Sequence, residues 1–323
     1  MSMDETLVVE DLRVGLHTDR GRREIVRGLS FRLARGQILA LVGESGAGKS
    51  LASHGIIRIP PAPRVRLLGG KVLLNGEDLA SRNEEELATI RGRRLTMLFQ
   101  DPTKSLDPRH PVLAQLQAVL INYERLSKLE AFERAANLLE HLGLRAERFV
   151  GRYPHELSGG MRQLSYLAMG LATPASVVIL DEPTTALDAL TRRKVMEVLR
   201  EEASDRGRSL LLVTHDLALT ELLADEVLVM LAGIGLERLP ISALRQAAHP
   251  YTRQLIQCTP ELAQNSLPSV ERSPDNGALI WDEGCPYRNR CSRTQEVCKR
   301  FPSPVRLEGG HWVACHFPLS DPL

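Results

Sequence analysis

The residues Gly43-Glu44-Ser45-Gly46-Ala47-Gly48-Lys49-Ser50 constrain this chain more than any others. They follow an unbroken apolar run, Ile38 to Val42, and precede a segment able to start a helix, Leu51 to Ile57. The pattern G-x-x-x-x-G-K-S/T between a strand and a helix is a phosphate-binding loop. Its glycines let the backbone bend until successive N–H groups point inward at an anion, and the helix N-terminus adds positive potential. Lys49 can reach β- and γ-phosphates, and the Ser50 hydroxyl can ligate Mg²⁺. The competing reading is a glycine-rich turn that fits the pattern by accident, and the strand context speaks against it. Gly43, Glu44, Ser45, Gly46, Ala47, Gly48, Lys49 and Ser50 are therefore candidate nucleotide-binding residues.

With 323 residues, 43% of them hydrophobic, the chain is long enough for one large α/β domain plus an appendage, or for two modest domains. Its formal net charge of +1 argues against a dedicated nucleic-acid binder, which carries a basic excess. The opening MSMDETLVVEDLRV is acidic and alternating, unlike a signal peptide. Nowhere does the chain approach the roughly 18 consecutive apolar residues of a membrane span, so a cytosolic location is expected. The cysteines, Cys258, Cys285, Cys291, Cys298 and Cys315, all lie near the C-terminus. In the cytosol such clustering points to metal or redox chemistry rather than disulfides, and it marks the tail as a separate unit.

Leu7 to Leu16 alternates apolar and polar residues as a strand does, Thr18 to Glu24 reads as a charged turn, and Leu29 to Leu33 alternates again before the Arg35-Gly36 turn. Val72 to Leu74 with Asn75-Gly76 reads as a strand ending in a turn. Leu95 to Phe99 is a short strand ending at Gln100, and the prolines and small polar residues of Asp101 to Pro108 predict a loop. Helical spacing then runs from Val112 to about Leu142, as an inserted subdomain. Ser158 and two glycines precede a helix over Met161 to Ala172. The strand Ser176 to Leu180 runs into Asp181-Glu182-Pro183, Thr185 to Asp188 is a loop, and Leu190 to Glu202 is an amphipathic helix. Leu210 to Val213 is a strand ending at Thr214-His215-Asp216, and Val227 to Met230 is the last core strand. Buried strands alternating with helices imply a mainly parallel sheet covered on both faces. Gln264 to Gly277 has the composition of a linker, and Gly284 to Pro318 carries the last four cysteines.

Asp181, at a strand end, can hold Mg²⁺ through water opposite Ser50, and Glu182 beside it can polarise a water that attacks a γ-phosphate. An Asp-Glu pair alone usually just turns the chain, but with a phosphate loop upstream the functional reading dominates. By themselves, His215 and Gln100 read as ordinary strand-end residues. Leu157-Ser158-Gly159-Gly160-Met161 differs in kind: a hydroxyl and two glycines at a helix start form a second anion cradle, more than one ATP needs.

The ordered set of phosphate loop, Gln100, LSGGM, Asp181-Glu182, Ala186-Leu187-Asp188 and His215 resembles the ATPase subunit of an ABC transporter over roughly Leu7 to Met230. The resemblance implies an α/β P-loop NTPase core with an antiparallel β layer, an inserted helical subdomain and a small Cys-rich C-terminal module. The corresponding expectations are a core over 6–100 and 175–240, a helical signature subdomain over 101–174, a C-terminal helix and linker over 241–283, and the Cys-rich module over 284–318. In that family two ATPase subunits pair head to tail, and each ATP lies between one phosphate loop and the partner's LSGG segment. Ser158, Gly159 and Gly160 then bind the partner's nucleotide. Gln100 is expected to contact Mg²⁺ and the attacking water, Glu182 to be the general base, His215 to meet the γ-phosphate, and Asp188 to lie at the dimer interface.

FQDPTKSLDP, YPHELSGGMRQ, HPYTRQLI and the tail GCPYRNRC…C…HWVACHF narrow the resemblance to the oligopeptide, dipeptide and nickel importers. That implies a similar sister ATPase, two membrane permeases, an extracytoplasmic solute-binding protein and a peripheral place on the cytoplasmic face of the inner membrane. Peptides, nickel and metal chelates all stay open as cargo. The spacing C-x5-C-x6-C-x16-C of Cys285, Cys291, Cys298 and Cys315 supplies four thiolates, enough for a 4Fe–4S cluster, with Zn²⁺ as rival and unliganded thiols as the third reading. Cys258 falls outside the spacing and is expected to be buried as a small apolar residue. Three departures stand out: no aromatic residue between Val8 and Ser30 to stack on adenine, Leu164 where an arginine commonly follows, and a stretch at Ile234 to Pro240 that reads as an abbreviated strand-turn. Two other classes compete, a soluble ABC ATPase uncoupled from transport and an ATP-binding regulatory partner with little hydrolysis. The single cassette disfavours the first, and the presence of both Glu182 and His215 disfavours the second.

Overall fold

In the computed structural model, which describes residues 5–18, 21–262 and 283–321, the alternating N-terminal pattern forms two long strands, β1 (Glu5–Thr18) and β2 (Gly21–Ala34). Leu29, Phe31 and Leu33 are buried with the period of two that a strand with one covered face requires. Of the charged stretch Thr18 to Glu24, expected as a turn, Thr18 ends β1 and Gly21 to Glu24 begin β2, so the described part is strand, while residues 19 and 20 lie outside the described residues. Beyond β2, β3 (Ile38–Val42) is buried at every position, α1 (Lys49–Ile57) follows the glycine loop, and β4 (Val65–Leu74) joins the order β2-β1-β4. These segments belong to one of two units, made of Val8–Arg32, Ile38–Leu73 and Val213–Leu323.

The other unit holds Leu33–Gln37 and Leu74–Leu212, together with residues 5–7 at the start of β1. It contains β5 (Glu77–Asp78), α2 (Glu84–Ile90), β6 (Leu95–Leu98), α3 (Pro102–Ser105), α4 (Val112–Glu124), α5 (Lys128–His141), α6 (Gly159–Leu171), β7 (Val177–Asp181) and α7 (Ala189–Ser204), and it leads into β8 (Ser209–Thr214). Strands β6 and β7 run parallel, from Leu95 opposite Val177 to Leu98 opposite Leu180. The segment Asp101 to Pro108, expected as loop throughout, contains the short helix α3. The Asp101 side chain accepts a hydrogen bond from the Thr103 N–H at 2.9 Å and a proline occupies the first turn, which together start a helix. The inserted helices pack by their apolar stripes: Leu113, Leu116 and Leu120 of α4, and Ala131, Ala135, Leu138 and Leu139 of α5, are buried at helical spacing.

The chain then returns to the first unit with α8 (Leu217–Leu223), β9 (Glu226–Leu231), β10 (Ile234–Pro240), α9 (Pro250–Gln257), β11 (Val305–Arg306) and β12 (Trp312–Val313). There β9 is the parallel neighbour of β3, with Ala40 opposite Val227 and Val42 opposite Val229. Ile234 to Pro240, expected to be abbreviated, is a full strand antiparallel to β9 from Ile234 opposite Leu231 to Pro240 opposite Glu226. In this unit the order is β11-β12-β10-β9-β3, so the C-terminal tail extends the sheet rather than hanging from it. Cys258, expected to be buried, is exposed: it is the C-cap of α9, beyond the turns that bury Tyr251, Thr252 and Ile256. The linker expected over Gln264 to Gly277 lies outside the described residues. No helix among the described residues is long and apolar enough to cross a membrane.

The tail docks around a buried carboxylate. Glu237 accepts the backbone N–H of Ala248 at 2.6 Å and of His249 at 3.1 Å, and its Oε1 lies 2.7 Å from Nε2 of His311. A carboxylate with no exposure demands such partners, so this cluster ties β10, the start of α9 and β12's approach together. His249 beside it accepts the Tyr251 N–H on Nδ1 at 3.0 Å. Burial pushes its pKa down to about 4, against the opposing pull of the Glu237 carboxylate. Since the folded state resists protonating His249, stability is unaffected above the ordinary histidine range and falls as pH drops from about 6.5 to about 4. The unfolding free energy of the wild type, measured by urea titration, should lose at most about 3 kcal/mol more over that window than that of His249→Asn.

Candidate active site

The phosphate loop is shaped by what passes behind it. A Cβ on Gly43 would stand 2.1 Å from the carbonyl oxygen of Met230 in β9, so only glycine lets the two backbones approach. At the other end Gly48 adopts φ 100°, the left-handed region, and opens α1. Between them the Ala47 N–H donates to the Glu44 carbonyl at 3.1 Å, and the Gly233 N–H of the β9–β10 hairpin donates to the Ala47 carbonyl at 2.8 Å. The buried Lys49 ammonium curls back over the loop and donates to the carbonyls of Gly43 at 2.7 Å and Glu44 at 3.1 Å. Helices α6, α7 and α8 are each closed at the N-terminus by a side-chain oxygen, from Ser158, Asp188 and Asp216. No side chain caps α1. A lysine folded over a loop that feeds an uncapped helix N-terminus fits the phosphates of a nucleotide, and Ser50 follows at the position that suits Mg²⁺.

In the other unit, the parallel register of β6 and β7 delivers Gln100 and Asp181-Glu182 to the same edge of the sheet. Asp181 and Glu182 are buried, whereas Gln100 is exposed. Glu182 sits at φ 51°, an uncommon conformation for a glutamate, and Thr185 donates its hydroxyl to the Glu182 carbonyl at 3.3 Å. The buried Gln163 side chain of α6 donates to the Pro183 carbonyl at 3.0 Å and anchors the turn after the carboxylates. At the start of α6 the Ser158 hydroxyl accepts the Met161 N–H at 3.2 Å. Gly160 lies against Ala186, where a Cβ would stand 3.3 Å from the carbonyl oxygen. Asp188 caps α7 by accepting the N–H of Thr191 at 3.0 Å and its hydroxyl at 2.7 Å, and these bonds hold its carboxyl below the usual range. Ser158, Gly160, Leu187 and Asp188 thus line one open groove, beside Leu190, which is 80% exposed. His215 is exposed just after β8, ahead of α8.

Two contacts to the phosphate loop have no local signal in the sequence. The Glu44 N–H donates to the Tyr251 hydroxyl at 3.0 Å, and the Glu44 carboxylate is gripped by both terminal nitrogens of Arg290, one at 3.0 Å. The HPYT motif flags Tyr251, but nothing in its neighbourhood says that it reaches residue 44.

Cys285, Cys291, Cys298 and Cys315 all border one small cavity, with His249, Tyr287, Arg288 and Arg293. All are free thiols. Burial pushes the Cys285 thiol up to about 11 and raises those of Cys291 and Cys315. Among the described residues, however, no three His, Cys, Asp or Glu side chains form a group able to hold a metal ion. The soft donors suit a cluster or zinc, but the expected ligand set is gathered around a cavity rather than closed on a point.

A parallel core with a strand-loop-helix phosphate site, and a second glycine-bearing helix start beside a strand-end carboxylate pair, defines the ABC class of ATPase. Residues 26–185 match the family described as ABC transporter, and residues 241–298 match the family described as Oligopeptide/dipeptide transporter, C-terminal region. The chain belongs to the ATP-hydrolysing, transport-coupled subunits of the ABC transporter family. It is 35% identical to Dipeptide transport ATP-binding protein DppD of Bacillus subtilis, with 97% of this chain and 95% of that protein aligned. It is also 35% identical to Oligopeptide transport ATP-binding protein OppD of Escherichia coli, over 99% of this chain and 95% of that one. Among solved structures, the dimeric ATP-binding cassette MJ0796 in a post-hydrolysis state with ADP and Pi shares the fold at a TM-score of 0.67 and 23% identity, covering 73% of this chain and 98% of that one. Because the Met230 carbonyl is backbone and cannot swing aside, Gly43→Ala should lower unfolding stability by about 1–3 kcal/mol and weaken ATP binding with it, as read by thermal denaturation and equilibrium titration.

Proposed function

We propose that this chain is the ATPase subunit of a peptide importer, in which ATP closes a dimer of two such subunits and hydrolysis releases it. The observation that carries this reading is the near-full-length similarity to peptide transport ATP-binding proteins, which extends through the C-terminal region as well as the cassette. Metal chelates or nickel form the alternative cargo. Gly43 to Ser50 receive the ATP phosphates, with Lys49 turning from the loop carbonyls to the β- and γ-phosphates. Ser50, Asp181 and Gln100 would hold Mg²⁺, which would neutralise charge on the phosphate oxygens. Glu182 takes the proton of the water that attacks the γ-phosphorus, and ADP departs as the leaving group. His215 orients the γ-phosphate. Ser158, Gly159 and Gly160 complete the site of a second, similar subunit, and Asp188 lies at that interface; the exposed Leu190 beside their groove supports a partner surface there. Two transmembrane permeases and an extracytoplasmic solute-binding protein complete the assembly, with this chain peripheral on the cytoplasmic face of the inner membrane and no role for nucleic acid.

Glu182→Gln, assembled with its sister subunit, should lose about 10²-fold or more in hydrolysis while still binding ATP, and should abolish uptake of labelled di- and oligopeptides in cells that depend on it. Full hydrolysis in that variant would remove Glu182 as the base. Normal hydrolysis by the wild type with nickel but no peptide uptake would favour the alternative cargo, and hydrolysis with no uptake of either would favour an ATPase uncoupled from transport.

We further propose that Cys285, Cys291, Cys298 and Cys315 would hold a 4Fe–4S cluster, a reading supported by their placement around one cavity. Anaerobically purified protein should contain iron and acid-labile sulfide. Stoichiometric zinc without iron, or no metal at all, would overturn it.

A further inference from the structure

The second residue of the phosphate loop is a glutamate, which sets a carboxylate in a segment that has to receive an anion. That carboxylate is held at a distance of 246 residues along the chain by the guanidinium of Arg290, in a two-pronged pairing with Nη1 at 3.0 Å from Oε2. Arg290 is itself fixed on its other sides. Its guanidinium lies 5.1 Å from the ring centre of Tyr287 and 5.8 Å from that of Tyr251. Nη2 also donates to Gln254 Oε1 at 3.2 Å, and the Tyr287 hydroxyl donates to the same oxygen at 3.0 Å. At the backbone end the Glu44 N–H donates to the hydroxyl of Tyr251, a side chain with no exposure. Glu44 is thus clamped at both its amide and its carboxylate, and its carbonyl is one of the two that receive the Lys49 ammonium. The chain of contacts runs from the C-terminal module through Glu44 to the phosphate-binding lysine.

We propose that Arg290, backed by Tyr251, is a positioning residue for ATP: it cancels the Glu44 charge and sets the carbonyl that presents Lys49, making the Cys-bearing module part of the nucleotide site. This rests on the reading that Gly43 to Ser50 receive the ATP phosphates. A bidentate guanidinium–carboxylate pair gives both the neutralisation and the fixed geometry, which a lysine in its place would supply only in part. A module that merely docks against the core would need neither a charge matched to Glu44 nor a hydroxyl aimed at its amide.

The test uses the full chain assembled with its sister subunit, with ATP as the probe. Arg290→Ala should raise the KM for ATP about tenfold while kcat changes less than about twofold, because the unpaired Glu44 carboxylate then faces the phosphates. Arg290→Lys should fall between, at about threefold. Adding Glu44→Gln to Arg290→Ala should bring KM back to within about threefold of the wild type, since it removes the charge that had lost its partner. A docking role would not be rescued that way, so an unrescued KM, like an unchanged KM in Arg290→Ala, overturns the proposal. If Arg290→Ala fails to fold, the Lys variant and its combination with Glu44→Gln carry the same comparison. Lys49→Ala is run alongside. Undiminished ATP binding there sinks the phosphate-loop reading itself, whereas lost binding there with a normal KM in the Arg290 variants sinks only the role of Arg290.

Discussion

A glycine backbone pressed against a neighbouring strand is the constraint on which the nucleotide site depends. Strand β3 is buried along its whole length and paired in parallel with β9, so the chain leaving it at Gly43 must pass directly over the Met230 carbonyl. That forces the loop to turn, and the turn places Lys49 over the loop carbonyls ahead of a helix that no side chain caps. The contrast with α6, α7 and α8 is physical. Those helices use a hydroxyl or carboxylate on their first-turn amides, while α1 begins at Gly48, which has no side chain to do so.

The second organising interaction is the buried Glu237. A carboxylate in the interior is tolerable only with several donors, and here they come from the backbone entering α9 and from a histidine of the tail. The tail therefore adds β12 and β11 to the sheet and carries Tyr287 and Arg290 within reach of Tyr251 and Glu44. Cysteine spacing marked this tail as a separate unit. Its backbone pairing and its hold on the phosphate loop make it an extension of the nucleotide-binding unit.

Much of this was legible in the chain because the signals are local. The apolar run at Ile38 to Val42, the stripe of α4 and α5, and the strand ends at Gln100 and Asp181 each follow from periodicity or from a short motif. Two of the misreadings share one cause. Gly21 to Glu24 and Ile234 to Pro240 are too polar or too short to announce strands, but each lies in a strand bonded to a neighbour that composition cannot display. At Asp101 to Ser105 the capping aspartate and the proline were visible, yet turn composition masked them. Cys258 looked like a core residue by type, and its place at the end of α9 decided otherwise.

By itself the sequence determined which residues are candidates for the phosphate chemistry, because a phosphate loop, a strand-end carboxylate pair and a helix-start glycine pair are each written in consecutive residues. Only the tertiary structure decided why Gly43 admits no side chain, and which residues hold Glu44. Those answers depend on Met230, Tyr251 and Arg290, which chain distance hides and strand pairing brings to the loop.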